Sequence, residues 1–303
     1  MSILQELPKA ELHLHLEGAI DAETMAVLAP ECTVDQVRAR YRYADFGGFI
    51  ECFKWISAHL RSPEDYALIT RHLLANLAAQ NVRLAEITIA AGVILWKKQN
   101  FAEIFAAARQ AACGSAVEVR WIVDAVRHFG VEHAMEVVEV AAPYVGQGVV
   151  AFGIGGDESR GPASWFGPVF RRARELGFRL TAHAGETCGA ESIWEALEIG
   201  AERIGHGITA ARDPELMRVL RERDIPLEVC ISSNVATGAV ASLRDHPVRA
   251  LYDAGVPIIL SSDDPAMFHT TLVGEYELAR DVFGFTEQEL TAMAQAGFRY
   301  AFR

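Results

Sequence analysis

Eight short runs of β-branched and aliphatic residues punctuate the chain, at 10–15, 83–89, 117–124, 149–154, 179–183, 203–206, 226–231 and 257–262. Stretches of helical periodicity separate them, for example at 101–112, 132–142, 164–176, 192–197, 214–223 and 247–254. A strand followed each time by a helix builds a parallel sheet, because the crossover returns the chain to start the next strand in the same direction. Eight such units in 303 residues match the arithmetic of one α/β domain over 1–303, a (β/α)8 barrel of the TIM type. A doubly wound open sheet is the competing architecture. The gap between the first and second runs is long, and helical patterns at 34–40, 46–60 and 64–79 fill it. We read it as a helical insertion after the first strand, at about 22–80, that sits over that strand's carboxyl end as a lid or pocket wall. A last helix is expected at 287–301.

Composition narrows the function classes. A hydrophobic fraction of 51% with 22% charged residues fits a large buried core and leaves little room for disorder. With 28 Lys+Arg against 40 Asp+Glu, the formal charge of −12 repels polyanions, so no nucleic-acid partner is expected. The longest apolar run, 89–96, falls well short of the roughly 18 residues of a membrane span. The start, MSILQELPKAELHLHLEG, lacks the basic and apolar segments of a secretory signal. A cytoplasmic protein with no membrane association is the expectation. The five cysteines, Cys32, Cys52, Cys113, Cys188 and Cys230, are scattered and never form a CxxC pair. They suggest neither a disulfide framework nor a thiolate zinc site, and we read them as buried small hydrophobes.

His13 and His15 stand two apart in ELHLHLEG, so one face of the first strand carries both imidazoles. His183 ends the fifth run in TAHAGE, His206 the sixth in RIGHG, and Asp263 the eighth in ILSSDDP. In a barrel, the carboxyl ends of all strands meet at one mouth, so these five groups converge despite some 250 residues of intervening chain. Imidazole nitrogen and carboxylate oxygen form a zinc-type ligand set, and a site with an open position lowers the pKa of bound water to roughly 7. Glu186 follows His183 by three residues and can face the same cavity as a proton donor. Of the pair Asp263–Asp264, one can bind metal while the other orients the attacking water. Gly153, Gly155 and Gly156 close the fourth run, where missing side chains let a flat ligand approach the backbone. The remaining histidines, His59, His72, His128, His133, His246 and His269, are expected to be surface or structural residues.

Together these residues resemble the adenosine deaminase family of the metal-dependent amidohydrolase superfamily. LPKAELHLHLEG at 7–18, GGDE at 155–158, HAGE at 183–186, RIGHG at 203–207 and SSDDP at 261–265 occur in the family's order and spacing, across nearly the whole chain. The resemblance implies one Zn2+ per chain, held by His13, His15, His183 and Asp263. It implies Glu186 as proton donor to the purine ring nitrogen beside the attacked carbon, with His206 and Asp264 positioning and activating the hydroxide. Gly156 looks like the glycine whose backbone amide meets the purine's far ring nitrogen. Hydrolytic deamination of an adenosine-type 6-aminopurine nucleoside to the 6-oxo product and ammonia is the implied reaction.

Substrate choice follows from departures within that pattern. Glu17 stands where many adenosine deaminases carry the aspartate that meets the ribose 5′-hydroxyl, and a longer acid shifts that contact or favours another 5′ group. Adenine deaminases also carry HLEG, whereas GGDE and RIGHG fit the nucleoside branch. A third branch deaminates aminodeoxyfutalosine, an adenosine with a carboxyphenyl group at its 5′ end, and Trp96, Lys97 and Lys98 are candidates to receive such a group. Two readings compete from outside. One is a non-catalytic purine-binding barrel, against which an intact Glu186 and His206 argue. The other is a binuclear amidohydrolase, for which Asp157 and Glu158 lie near the fourth strand end.

Overall fold

The first strand, β1 (Lys9–His15), is buried at every residue, as a strand must be when helices cover one face and a packed interior the other. The computed structural model describes residues 3–303. After β1 come β2 (Val82–Ile89), β3 (Glu118–Val126), β4 (Val149–Gly155), β5 (Arg179–Ala184), β6 (Arg203–His206), β7 (Leu227–Val229) and β8 (Ile258–Leu260). Each pairs in parallel with the next, in the order of the sequence.

Closure decides between barrel and open sheet. Leu14 in β1 bridges in parallel to Asp263, just past β8. The His15 N–H donates to the Asp263 carbonyl at 2.9 Å, and the Asp263 N–H to the His13 carbonyl at 2.9 Å. The cylinder closes, and the open-sheet alternative falls. The closing seam is also the backbone of three expected ligands, so the bonds that complete the barrel set the spacing of His13, His15 and Asp263.

Inside the barrel below the mouth lies an ionic plug. The Arg203 guanidinium, fully buried, pairs with Glu86 and with Glu228, each at 2.6 Å, beneath the Phe302 ring. Removing one member of such a set leaves an unpaired buried charge, typically costing about 3–5 kcal/mol.

The expected insertion is present as four helices, Ala22–Leu28, Val34–Arg40, Phe46–His59 and Pro63–Ala79. Their starts are written locally: Asp21, Thr33, Asp45 and Ser62 each accept a backbone N–H of the first turn, and Thr33 and Ser62 complete capping boxes with Gln36 and Asp65. Lys97 ties the end of Phe46–His59 down, its Nζ donating to the carbonyls of Ser57 and Leu60. Lys97, which also lines the cavity above the site, is thereby engaged with a helix terminus, where it satisfies orphan carbonyls.

Two expectations need correction. The run 226–231 is strand only to Val229; helix Ile231–Ala236 then begins, its Asn234 N–H bonding the Cys230 carbonyl at 3.0 Å. Of the cysteines, only Cys52 and Cys230 are buried; Cys113 is exposed at a helix C-terminus, where it loses no packing. Among the described residues, no helix is long and apolar enough to cross a membrane.

Candidate active site

At the mouth, the two β1 imidazoles meet those of β5 and β6. The ring centroid of His13 lies 4.5 Å from that of His183 and 4.9 Å from that of His206, and His15 lies 5.2 Å from His183. His15 Nε2 is 3.2 Å from His183 Nε2 and 3.4 Å from Asp263 Oδ1, and His13 Nε2 is 3.4 Å from the same oxygen. Donor atoms about 2.0–2.1 Å from one ion at tetrahedral angles lie ~3.3–3.4 Å apart, so these separations are those of a shared zinc-type ion. His13 Nε2 is buried and has no hydrogen-bond partner, an orphan that a metal would satisfy. His13, His183, His206 and Asp263 offer donor atoms all within 4.8 Å of one another, and His15, Asp263 and Asp264 form a second such group.

Neighbouring groups set which nitrogen faces the centre. Glu228 Oε2 takes the His13 Nδ1 proton at 2.8 Å, and the Ile154 carbonyl takes that of His183 Nδ1 at 3.1 Å, leaving both Nε2 lone pairs turned inward. Burial, reinforced by the charge of neighbouring imidazoles, holds His183 well below the usual histidine range, and burial pushes His15 down to about 4. Neutral rings are what a metal requires. His206 and Asp263 both hold left-handed backbone, φ +62° and +63°, a strain of order 1–3 kcal/mol each that lets a strand's last residue turn its side chain into the mouth.

Glu186 is buried, with Oε2 at 3.7 Å from His206 Nε2 and Oε1 at 3.3 Å from Thr237 Oγ1. Burial, then the negative charges of Asp263 and Glu158, push its carboxyl up to about 8, which favours the protonated form. The Thr237 hydroxyl is shared between two acceptors, Glu186 Oε1 at 3.3 Å and the Ser233 carbonyl at 2.9 Å. Asp264 is raised well above the carboxylate range by burial and by Asp263 beside it, and its Oδ1 is buried without a partner. Gly18 makes room for it, since a Cβ there would stand 1.6 Å from Asp264 Oδ1.

Above these groups opens a cavity of about 720 Å³. His15, Gly156, His183, Glu186, His206, Asp263 and Asp264 form its floor, and Phe46, Phe49, Ile50 and Phe53 of the inserted helix form one wall, as the sequence leads one to expect. Trp96 stacks on Phe129 at the rim, 5.6 Å and 13° apart, near Lys54 and Arg160. Glu17 takes another place: fully buried behind the wall, it accepts the Ala90 N–H at 3.1 Å and shores up the end of β2.

Several participants escape the sequence reading. His128, expected to be structural, lines the cavity beside Gly156, whose Cβ would meet its ring at 3.4 Å. Asp124 in β3 also lines it, raised to about 7 by burial against the opposing charge of Arg127; its place at a strand's carboxyl half was the available signal. Ser233 and Asn234 come from the helix that follows β7 and Thr237 caps its end, all just beyond the run 226–231 read as strand. Glu158 is spent otherwise than on a second metal. Its Oε1 accepts the N–H groups of Glu186 and Thr187, and its Oε2 those of Gly185 and the Ser192 hydroxyl, all at 2.7–2.9 Å.

The family model described as "Adenosine deaminase" matches residues 8–303. The chain is 38% identical to an adenine deaminase of Rhizobium leguminosarum bv. trifolii, covering 98% of this chain and 95% of that one. It is also 38% identical to an aminodeoxyfutalosine deaminase of Streptomyces coelicolor, covering 98% and 80%. Among solved structures, a cog1816 amidohydrolase of Burkholderia ambifaria with bound Zn superposes with a TM-score of 0.91 at 28% identity, over 99% of this chain and 87% of that one.

Proposed function

The chain belongs to the adenosine deaminase family and is an aminohydrolase acting on a C–N bond, and from that premise we propose that it deaminates an adenosine-type nucleoside extended at its 5′ end. One observation carries this reading: Glu186, His206 and Asp264 line the floor of a cavity far larger than a purine base. A pocket of about 720 Å³ lies within the ~300–1,000 Å³ of drug-sized ligand sites.

His13, His15, His183 and Asp263 would hold a zinc ion, which would supply Lewis acidity and lower the pKa of water at the site to roughly 7. His206 and Asp264 flank that site and orient the water toward C6 of the purine. Glu186 gives its proton to the adjacent ring nitrogen as C6 becomes tetrahedral, so charge does not build on the ring. One proton of the water passes to the amino group, which leaves as ammonia; the other returns to Glu186 as the C6–O bond becomes a carbonyl, and the 6-oxo purine remains. Gly156, with φ +87° and no side chain, leaves its backbone open to the far edge of the base.

The outer cavity favours an aromatic acid as the 5′ extension, as in aminodeoxyfutalosine. Phe53, Trp96 and Phe129 offer stacking surface there, and Lys54, Arg160 and His128 supply donors for a carboxylate. Ammonia release from adenosine, 2′-deoxyadenosine, adenine and aminodeoxyfutalosine tests the assignment. The expected order places aminodeoxyfutalosine first by kcat/KM. Preference for free adenine by orders of magnitude overturns the nucleoside reading.

A further inference from the structure

We infer that His246 and Asn234 act as positioning residues that lock His206 in the tautomer with its proton on Nε2, making His206 a hydrogen-bond donor to the reacting oxygen and excluding it from the metal. All three side chains are buried, at 4%, 0% and 1% exposure, so each polar atom must find its complement within the protein.

The chain of constraints starts at a group that cannot change its role. The Val248 backbone N–H donates to His246 Nδ1 at 3.2 Å. That nitrogen therefore carries a lone pair, and in a neutral ring the proton must be on Nε2. Burial keeps the His246 ring neutral by pushing it down to about 4. His246 Nε2 lies 3.1 Å from Asn234 Oδ1 and donates to it. The Asn234 amide is thereby oriented, with its NH2 turned to His206 Nδ1 at 3.1 Å. An amide NH2 has no lone pair to offer, so His206 Nδ1 accepts and His206 Nε2 keeps the hydrogen. The reverse orientation of Asn234 would set the Val248 N–H against a protonated His246 Nδ1, donor facing donor. A backbone amide some 40 residues along the chain from the sixth strand thus decides which ring nitrogen is protonated at the mouth.

Nε2 is the His206 atom that points at the site, 3.7 Å from Glu186 Oε2 and 3.9 Å from Asp263 Oδ2. Distance alone admits His206 to a ligand set with His13, His183 and Asp263. The hydrogen on Nε2 removes it, because a ligand nitrogen must present a lone pair. His13 and His183 have the opposite arrangement, each with Nδ1–H tied to an oxygen and Nε2 open.

The catalytic half of the inference rests on the deaminase reading, whereas the tautomer is a property of the folded chain alone. Nitrogen-15 labelling of histidine reads the tautomer by NMR in metal-free and zinc-loaded protein. His206 and His246 are expected to be neutral with protonated Nε2 in both. Asn234→Asp keeps the side chain's size but offers His206 Nδ1 an acceptor, so the proton moves to Nδ1. A wrong tautomer in intact geometry lowers kcat by ~10⁴ in the Ser-His-Asp enzymes, and a loss of roughly 10²–10⁴ is expected here, with KM and bound zinc changed less than about threefold. His246→Gln, whose amide still donates to Asn234, should keep most of the rate, whereas His246→Leu should lose it. Protonated Nδ1 on wild-type His206, or full kcat in Asn234→Asp, overturns the proposal. Should Asn234→Asp not fold, the two His246 variants decide it by the same spectrum. A wild-type protein with the expected tautomer and no deaminase activity would fail the functional reading and leave the locking device standing.

Discussion

Glu158 Oε1 accepts the backbone N–H of Glu186 at 2.9 Å, so one buried carboxylate holds the main chain that carries the other. Burial alone would raise Glu158, but hydrogen bonds from Ser192, Thr187 and Gly185 and the charge of Arg127 outweigh it and hold the group below its ordinary value of 4.5. A carboxylate depressed in the folded state adds stability that is fully present above its unfolded pKa and is lost as pH falls through the folded one. Glu158→Gln has a single acceptor oxygen and would turn its NH2 against donors. We expect a stability loss of about 1–3 kcal/mol at neutral pH, and a melting temperature that falls less steeply than wild type below pH about 4.5. Parallel thermal melts against pH in both proteins check this; parallel acid limbs would refute it.

Glu186→Gln removes the proton donor and keeps the shape. A loss of roughly 10²–10⁴ in kcat is expected, with zinc retained at wild-type stoichiometry. Turnover and metal analysis on the same preparation give the answer, and near-normal turnover takes Glu186 out of the mechanism.

Glu228 touches no substrate, yet it takes the His13 Nδ1 proton at 2.8 Å and pairs with Arg203 at 2.6 Å. Carboxylates behind ligand histidines typically contribute 10–100-fold to metal affinity, and Glu228→Gln should weaken zinc binding by about that factor. Competition with a chromophoric chelator measures it. Unchanged affinity would mean that His13 is held by the barrel seam alone.

Gly18→Ala is a one-carbon test of Asp264, because the new Cβ would overlap its carboxylate. Displacing a group by about 1 Å can cost ~10² in rate. A fall in kcat of that order is expected with zinc content unchanged, and a crystal structure of the variant should show Asp264 rotated. Full activity would show that Asp264 does not act in the orientation described.

Much of the site was legible because its residues close strand runs: His183, His206 and Asp263 each sit where a barrel turns side chains into the mouth. Three of the four inserted helices were legible too from their periodicity, and Thr33 and Ser62 begin two of them with capping boxes; Ala22–Leu28 was not read. Asn234 and Thr237 were hidden because Cys230 and Ile231 extend an apolar run past the strand's true end, and periodicity over so few residues does not separate strand from helix. The hydrogen bonds of Glu17 and Lys97 were hidden for another reason. Their partners, the Ala90 amide and the Ser57 and Leu60 carbonyls, are backbone groups, which look the same at every position of a sequence.

By itself, then, the order of residues determined the eightfold alternation, the helix starts and the kinds of donor atom brought to the mouth, because each follows from periodicity or from chemistry within a few positions. Only the folded chain decided that Glu158 is bound to the loop carrying Glu186, and which partners surround the ring nitrogens of His206. Those outcomes depend on burial and on hydrogen-bond partners far apart in the chain, 215 residues in the case of His13 and Glu228, and a group's protonation is set by what surrounds it in space.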